Sequence, residues 1–283
     1  TEVSLTSGVT SQGDGFNFGA DLNSGFKIAD KGFVNFNVSY LAQNKTNRAG
    51  KPGKDDLFGV AADDVTWGDW LSRNPDLGMT IGQPDSKMGA FVVNAEYPLS
   101  ETTILYAFGD VNIRKGTSFA LYRAPYWVSD PSNLLHEAGT TYNGFQPTFE
   151  TDIFDNLGSI GLRSTVFGFN ADFSLTAGSN KVDYTVGNTL NVSLGANSPT
   201  EFNVGGYSFS QLVGNADFSR TFDKVTFGFG TEIRREQFEA RAGQEESYAG
   251  GGAQSFPGLQ PANALKESRN NVGIYTTLDY DMT

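Results

Sequence analysis

Hydrophobic and polar residues alternate with period two along much of this chain, and the alternation is clearest in residues 16–40. Two alternating runs flank the short segment 29–32, and the first carries Phe18, Leu22 and Phe26 on one side with Asn17 and Asp21 on the other. Because successive side chains of a strand point to opposite faces, these runs predict a two-faced β-hairpin. The first arm, 16–28, is longer than the roughly 9 to 11 residues that a tilted strand needs to cross a bilayer.

The same alternation recurs along the rest of the chain and predicts about ten strands in all. Besides the two arms of the hairpin, the predicted strands are 3–9, 91–97, 105–114, 159–166, 171–180, 211–219, 225–234 and 271–280. One side of each is apolar and the other is rich in polar residues and glycine. This pattern is typical of the strands of a transmembrane β-barrel, although an extended soluble sandwich would also produce two-faced strands.

The connections between the predicted strands alternate in length. Every second connection is a tight turn, near 29–32, 98–101, 168–170 and 222–224, whereas most of the others are long, including 48–87 and 117–150. Outer-membrane barrels combine short periplasmic turns with long extracellular loops. We therefore expect an all-β, antiparallel up-and-down transmembrane barrel, with both long loops outside and both chain ends near the periplasmic rim.

Composition narrows the possible functions. The 34 glycines, 13% aromatic and 38% hydrophobic residues suit a glycine-rich all-β chain, and no apolar run is long enough for a membrane-spanning helix. The net charge of −12 argues against binding to nucleic acid, which needs a basic surface. The absence of cysteine removes disulfides and thiolate metal ligands.

No arrangement of residues predicts an enzyme or a cofactor site. His136 is the only histidine, so a histidine-containing zinc site would need carboxylates or a partner chain. Three acidic pairs resemble oxygen-ligand sites for a cation, but we interpret them as solvated loop charges: Asp55–Asp56, Asp63–Asp64 and Glu245–Glu246. We therefore expect no catalytic residues, no metal site and no cofactor.

Two sets of residues are candidates for binding. Aromatic rings in the long loops can stack on a sugar or another flat ligand, and Arg123 can hold an anionic group. This first set is Trp67, Trp70, Tyr122, Arg123, Tyr126, Trp127 and Phe145. The alternative is that these residues fold the loops onto one another and onto the barrel. The second set is predicted to face the lumen and consists of Asp110, Asn112, Arg114, Arg163 and Arg234.

Several sequence segments resemble the barrel of TonB-dependent outer-membrane receptors. They include EVSLTSGVTSQGDG, GFKIADKGFVNFNVSY, LYAFGDVNIRKG and SRNNVGIYTTLDYDMT, and the most distinctive are SPTEF and RREQFEARAG. The resemblance extends in collinear order over nearly all of residues 2–283. It implies that residues 1–283 form one barrel domain, the N-terminal half of a 22-stranded wall, with neither plug nor TonB box in this sequence.

The resemblance further implies a location in the bacterial outer membrane and uptake of a scarce nutrient such as a siderophore or a glycan. The implied partners are membrane lipid, the rest of the barrel, the plug and, through the plug, TonB. Two other hypotheses remain open at this point: a self-contained ten-stranded barrel acting as a pore or scaffold, and a soluble all-β binding module. In a truncated wall the edge strands 2–10 and 271–282 must pair either with each other or with further strands.

Overall fold

A computed structural model describes residues 1–51 and 68–282 and shows an all-β chain with two short helices. The strands are β1 (Glu2–Gly8), β2 (Asn17–Ile28), β3 (Gly32–Gln43), β4 (Asp85–Pro98), β5 (Thr103–Phe119), β6 (Thr148–Val166), β7 (Phe169–Gly187), β8 (Phe202–Phe222), β9 (Val225–Arg241) and β10 (Leu265–Tyr280). The helices are α1 (Gly68–Arg73) and α2 (Glu245–Tyr248), and 3-10 turns occupy Val192–Asn197 and Pro261–Asn263. In these residues no helix has the length and apolar character needed to span a membrane.

The ten strands form one sheet in which sequence order and spatial order are the same, from β1 to β10. Every neighbouring pair is antiparallel. The up-and-down topology predicted from the alternation is therefore confirmed, and each predicted strand corresponds to one strand of this wall.

The register of the wall brings the apolar residues of successive strands to one face. Leu22 lies opposite Val38, and Val38 lies opposite Phe91 on the next strand. At the other end of the sheet Ile233 lies opposite Val272. We call this continuous surface the apolar band. It is not a packed core, because Leu175 remains 51% exposed and Ile274 83% exposed.

Short turns close one end of the wall. The β6–β7 connection consists of Phe167 and Gly168, both with positive φ (49° and 79°), as a two-residue hairpin turn of type I′ requires. Ala29 and Asp30 have φ of 46° and 56° between β2 and β3. The long connections all lie at the opposite end, so the predicted asymmetry between the two rims is confirmed.

Several strands extend further towards the long-loop end than the alternation predicts. β6 begins at Thr148 instead of 159, and β8 begins at Phe202 instead of 211. In these extensions the face that carries the apolar band lower down becomes polar, with Asp152 on β6 and Ser208 on β8. The strands continue, but their apolar side chains there, such as Ile153 and Phe209, lie on the opposite face, so the alternation that marks the band is interrupted.

The two edges of the wall do not pair with each other. β1 is hydrogen-bonded to β2 and β10 to β9, and within the described ranges no backbone hydrogen bond joins β1 to β10. The edges also differ in length, with 7 residues in β1 and 16 in β10. Closure into a small barrel, one of the two alternatives for these edges, is therefore not observed.

Candidate functional site

The long connections form one continuous structure on top of the wall, which we call the crown: residues 9–16, 44–51, 68–84, 120–147, 188–201 and 242–264. Its first junction joins the β1–β2 and β3–β4 loops. Arg48 Nη1 lies 2.5 Å from Asp14 Oδ2, and the Asn47 N–H donates to the same oxygen at 2.9 Å. Hydrogen bonds from Arg48, Thr10 and Asn47 hold the pKa of the Asp14 carboxyl well below its usual range.

The second junction is an aromatic cluster around Trp70, which lies in helix α1. The Trp70 indole is 4% exposed, and its Nε1–H donates to the Asn143 carbonyl at 3.1 Å. Its ring lies 5.9 Å from that of Tyr122 and 6.0 Å, edge-on, from that of Tyr126. Burial raises the pKa of both tyrosines, and the Tyr122 hydroxyl donates to the Asn143 carbonyl at 2.9 Å.

The third junction connects the β5–β6 loop to the β7–β8 loop. Arg123 and Phe145 form a small antiparallel bridge with backbone hydrogen bonds of 2.7 and 3.0 Å. The Phe145 ring is 3% exposed and packs with Val128 and Leu190. This bridge places a buried aromatic side chain between two loops that are distant in sequence.

Arg123 makes the fourth junction, to the β9–β10 loop. Its Nε–H donates to Gln254 Oε1 at 3.3 Å, its Nη1 donates to the Leu121 carbonyl at 2.7 Å, and its guanidinium lies 4.9 Å from the Trp127 ring. The residue is 8% exposed, and burial lowers the pKa of its guanidinium. In the described part of the chain no carboxylate lies within ion-pair distance of it, so neutral groups hold this charge.

A fully buried Asn191 connects the β7–β8 and β9–β10 loops. Its side-chain amide donates to the carbonyls of Glu246 and Ala249 at 2.8 Å each, and its Oδ1 accepts from the Ser193 N–H at 3.0 Å. The last contact caps the 3-10 turn that begins at Val192. The role of Asn191 was not predicted from the sequence; the available signal was that Asn is one of the residue types preferred at an N-cap.

His136 has a local role in the crown. Its Nδ1 lies 2.9 Å from Asp130 Oδ2, and Asp130 also accepts the N–H groups of Leu134 and Leu135. Burial raises the pKa of Asp130, but these hydrogen bonds outweigh it and the net pKa is lowered. Across residues 1–51 and 68–282 there is no group of three or more histidine, cysteine or acidic side chains arranged around a common point.

The structure brings six of the seven predicted loop residues together in the crown, whereas Trp67 and the pairs Asp55–Asp56 and Asp63–Asp64 lie outside the described residues. Trp70, Arg123 and Phe145 are buried in loop-to-loop contacts, and Trp127 is 44% exposed. Among these residues Trp127 therefore presents the most open ring to a ligand. The ligand-binding role of the set stays a prediction.

The five residues predicted to face the lumen share the polar face of the wall. Arg163 pairs with Glu96 two strands away, and its guanidinium lies 5.1 Å from the Tyr106 ring. Arg234 Nε lies 3.6 Å from Glu232 and 3.5 Å from Glu236. The other three are less engaged: Asp110 borders a shallow hollow, Asn112 donates to Met88 Sδ at 3.7 Å, and Arg114 is exposed.

Near the short-turn rim two tyrosines reach across the polar face in mirror-image arrangements. Tyr106 on β5 crosses Gly161 on β6 and donates to Asp172 on β7 at 2.6 Å. A Cβ at Gly161 would lie 2.3 Å from the Tyr106 ring, so only glycine fits beneath it.

Tyr275 on β10 crosses Gly230 on β9 in the same way and donates to Asp217 on β8 at 2.7 Å. Asp172 and Asp217 are direct cross-strand partners. Together with Arg163 and Thr277 they line a hollow of about 570 Å³. The polar face therefore offers hydrogen-bonding and charged groups to a solute or a polypeptide.

Comparisons with known proteins support the fold alone. No protein-family model matches the sequence, and no curated protein matches it. Among solved structures, one described as the copper transporter OprC is similar, with a TM-score of 0.56 and 7% sequence identity. The match covers 95% of this chain and 35% of that one, so this chain spans about a third of its length.

Proposed function

We propose that this chain forms part of the wall and the outer loops of a bacterial outer-membrane transport barrel of the TonB-dependent receptor type. The observation that carries the proposal is the apolar band, continuous across ten strands and uncovered, with the crown at one rim and tight turns at the other. Its height suits a membrane. The stretch 169–177 of β7, at about 3.3 Å per residue and a tilt of about 40°, spans roughly 23 Å, close to the apolar belt of outer-membrane barrels.

Aromatic residues at the lower edge of the band support the same placement. Phe229 contacts both Phe169 and Phe218 there, with ring centroids 5.7 and 5.0 Å apart. The guanidinium of Arg220 lies over Phe169 and Phe222. Aromatic girdles with basic side chains that reach to the headgroups are typical of bilayer interfaces. Two further aromatic residues near strand ends, Tyr97 and Tyr280, also lie on the apolar face, whereas Phe33 lies on the polar face.

The unpaired edges support a larger barrel over a self-contained one. Backbone groups exposed to hydrocarbon need partners, and the 16 residues of β10 need a strand longer than β1. We propose that further wall strands provide this pairing, that a plug occupies the polar face, and that TonB acts through the plug. The hollow near Asp172 and Asp217 provides a polar surface for such contacts.

The solute in this proposal is a scarce nutrient such as a siderophore or a glycan. Trp127 is 44% exposed and its ring lies against the Arg123 guanidinium, and exposed rings of this kind stack on flat or sugar-like ligands. The proposal does not extend to copper, because the chain has one histidine and no cysteine, and the described residues contain no group of three or more histidine or acidic side chains that could hold a metal ion.

Uptake in the parent bacterium tests this function. Deletion of the gene should abolish energy-dependent uptake of at least one solute from a panel of labelled ferric siderophores and fluorescent oligosaccharides. The full-length gene should restore it, and a proton uncoupler should remove it again. Unchanged uptake of the whole panel would refute transport, and uptake that survives the uncoupler would indicate a passive pore.

A further inference from the structure

Above the apolar band the same face of the wall becomes charged. Lys87, Lys115, Asp152 and Asp183 are successive cross-strand partners on β4 to β7. We call the charged positions on this face above the band the charged belt: Asp85, Lys87, Lys115, Glu150, Asp152, Lys181, Asp183, Arg235, Glu239, Arg241 and Lys266.

Most of the acidic groups in the belt are already engaged. Lys115 Nζ lies 2.9 Å from Asp152, and the Asp183 carboxylate accepts both Lys181 at 2.7 Å and Arg241 at 2.6 Å. Asp85 accepts the backbone N–H of Lys45 at 2.6 Å. Six basic residues against five acidic ones give the belt a net charge of +1, whereas the whole chain carries −12.

Lys87 and Lys115 form a cross-strand pair of like charges in this belt. They lie directly opposite each other on neighbouring strands, an arrangement of like charges that is normally destabilising. In the described part of the chain no carboxylate lies within ion-pair distance of Lys87. Both side chains are exposed and border a hollow of about 440 Å³, together with Asn44, Asp85 and Thr117.

We propose that this hollow binds the phosphate of an anionic membrane lipid, with Lys87 and Lys115 as the binding residues. The proposal rests on the proposed function only for the position of the apolar band in a bilayer. The belt begins one alternation above the band, where Ile113 is followed on the same face by Lys115. Lipid headgroups lie at this depth, and a phosphate there would pair with Lys87 and would share Lys115 with Asp152.

Native mass spectrometry of the full-length protein in neutral detergent tests the proposal. The probes are dioleoyl phosphatidylglycerol and a diacylglycerol with the same chains, and the variant is Lys87→Gln with Lys115→Gln. We expect the wild type to retain phosphatidylglycerol preferentially and the variant to bind it on the order of thirtyfold more weakly. Diacylglycerol binding should not change. The control Lys51→Gln with Arg73→Gln removes the same charge from the crown and should bind as the wild type does.

Equal binding of phosphatidylglycerol by the belt variant and the wild type would overturn the proposal, as would equal retention of the two lipids by the wild type. Displacement of the lipid by inorganic phosphate at the same concentration would overturn the assignment to a lipid. The readout does not depend on uptake. Loss of transport with intact lipid selectivity would therefore refute the proposed function alone.

Discussion

The apolar band and the crown above it differ in what holds them together. In the band, neighbouring strands share backbone hydrogen bonds and present apolar side chains such as Leu175 and Ile274 to the surroundings, without a covering layer. In the crown, side chains are buried against one another and loops are joined by polar contacts such as those of Asn191. The band therefore depends on an external apolar medium, whereas the crown has its own small cores.

This difference predicts the largest effect for a charge placed in the band. Leu22→Arg inserts a cation among Val3 and Val38 on the apolar face and should lower the free energy of unfolding by about 2 to 4 kcal/mol in a bilayer-refolding assay. Asn23→Arg, one position along on the polar face, is the control and should cost much less. Equal costs for the two variants would contradict the assignment of the faces.

In the crown, the largest effect should come from Asn191. Asn191→Ala leaves the carbonyls of Glu246 and Ala249 and the N–H of Ser193 without their partner, which should cost about 2 to 3 kcal/mol locally. Hydrogen exchange should show faster exchange in 188–201 and 242–264 and unchanged protection in the strands. The exposed Asn197→Ala is the control. Loss of protection throughout β7 and β8 would show that the crown and the wall do not unfold separately.

The polar face of the wall should tolerate bulk less well than the apolar face at matched glycines of β6. Gly161→Ala forces the Tyr106 ring away from Asp172 and should cost about 1 to 3 kcal/mol. Gly158→Ala, on the apolar face with nothing within 4 Å of the added Cβ, should be close to neutral. Denaturant unfolding in the same lipid measures both, and a neutral Gly161→Ala would exclude the packing of Tyr106 on this glycine.

The smallest effect concerns pH at the first junction of the crown. The pKa of Asp14 is lowered in the folded protein, so its contribution is fully present above its unfolded pKa, 3.8, and is lost as the pH falls below that value. Hydrogen exchange of Asn47, whose N–H bonds to Asp14, should accelerate below about pH 4 beyond the intrinsic rate. Asp14→Asn should abolish this pH dependence, and an unchanged profile in that variant would assign it to another group.

The sequence predicted the wall well because a strand with one apolar and one polar face must alternate. All ten strands and both rims follow from this alternation. Adjacent positions such as Leu22, which is apolar, and Asn23, which is polar, lie on opposite faces of the strand. The upper parts of β6 and β8 were missed because Asp152 and Ser208 are polar on the face where alternation would require apolar residues. The upper parts of β6 and β8 are held as strands by pairing with the adjacent strands, and the local sequence pattern does not indicate that pairing.

The crown was less predictable because its contacts join residues far apart in the chain. The aromatic residues were identified as a group, but their partners were not. Arg123 donates to Gln254 and Trp70 donates to the Asn143 carbonyl, and no local sequence pattern indicates either contact. The role of Asn191 depends on carbonyls more than fifty residues away. The alternation of apolar and polar residues indicates which face of a strand is apolar. It does not indicate which loops contact one another.

A spin-label accessibility scan along β7 tests most directly whether the apolar band lies in a bilayer with the crown outside it. Single nitroxides at each position from 171 to 183 in the reconstituted full-length protein should show oxygen accessibility that oscillates with period two up to Ala177. At Lys181 and Asp183, above the band on the same face, the water-soluble nickel reagent should have access instead. Equal access of the nickel reagent to both faces along the whole strand would contradict the account.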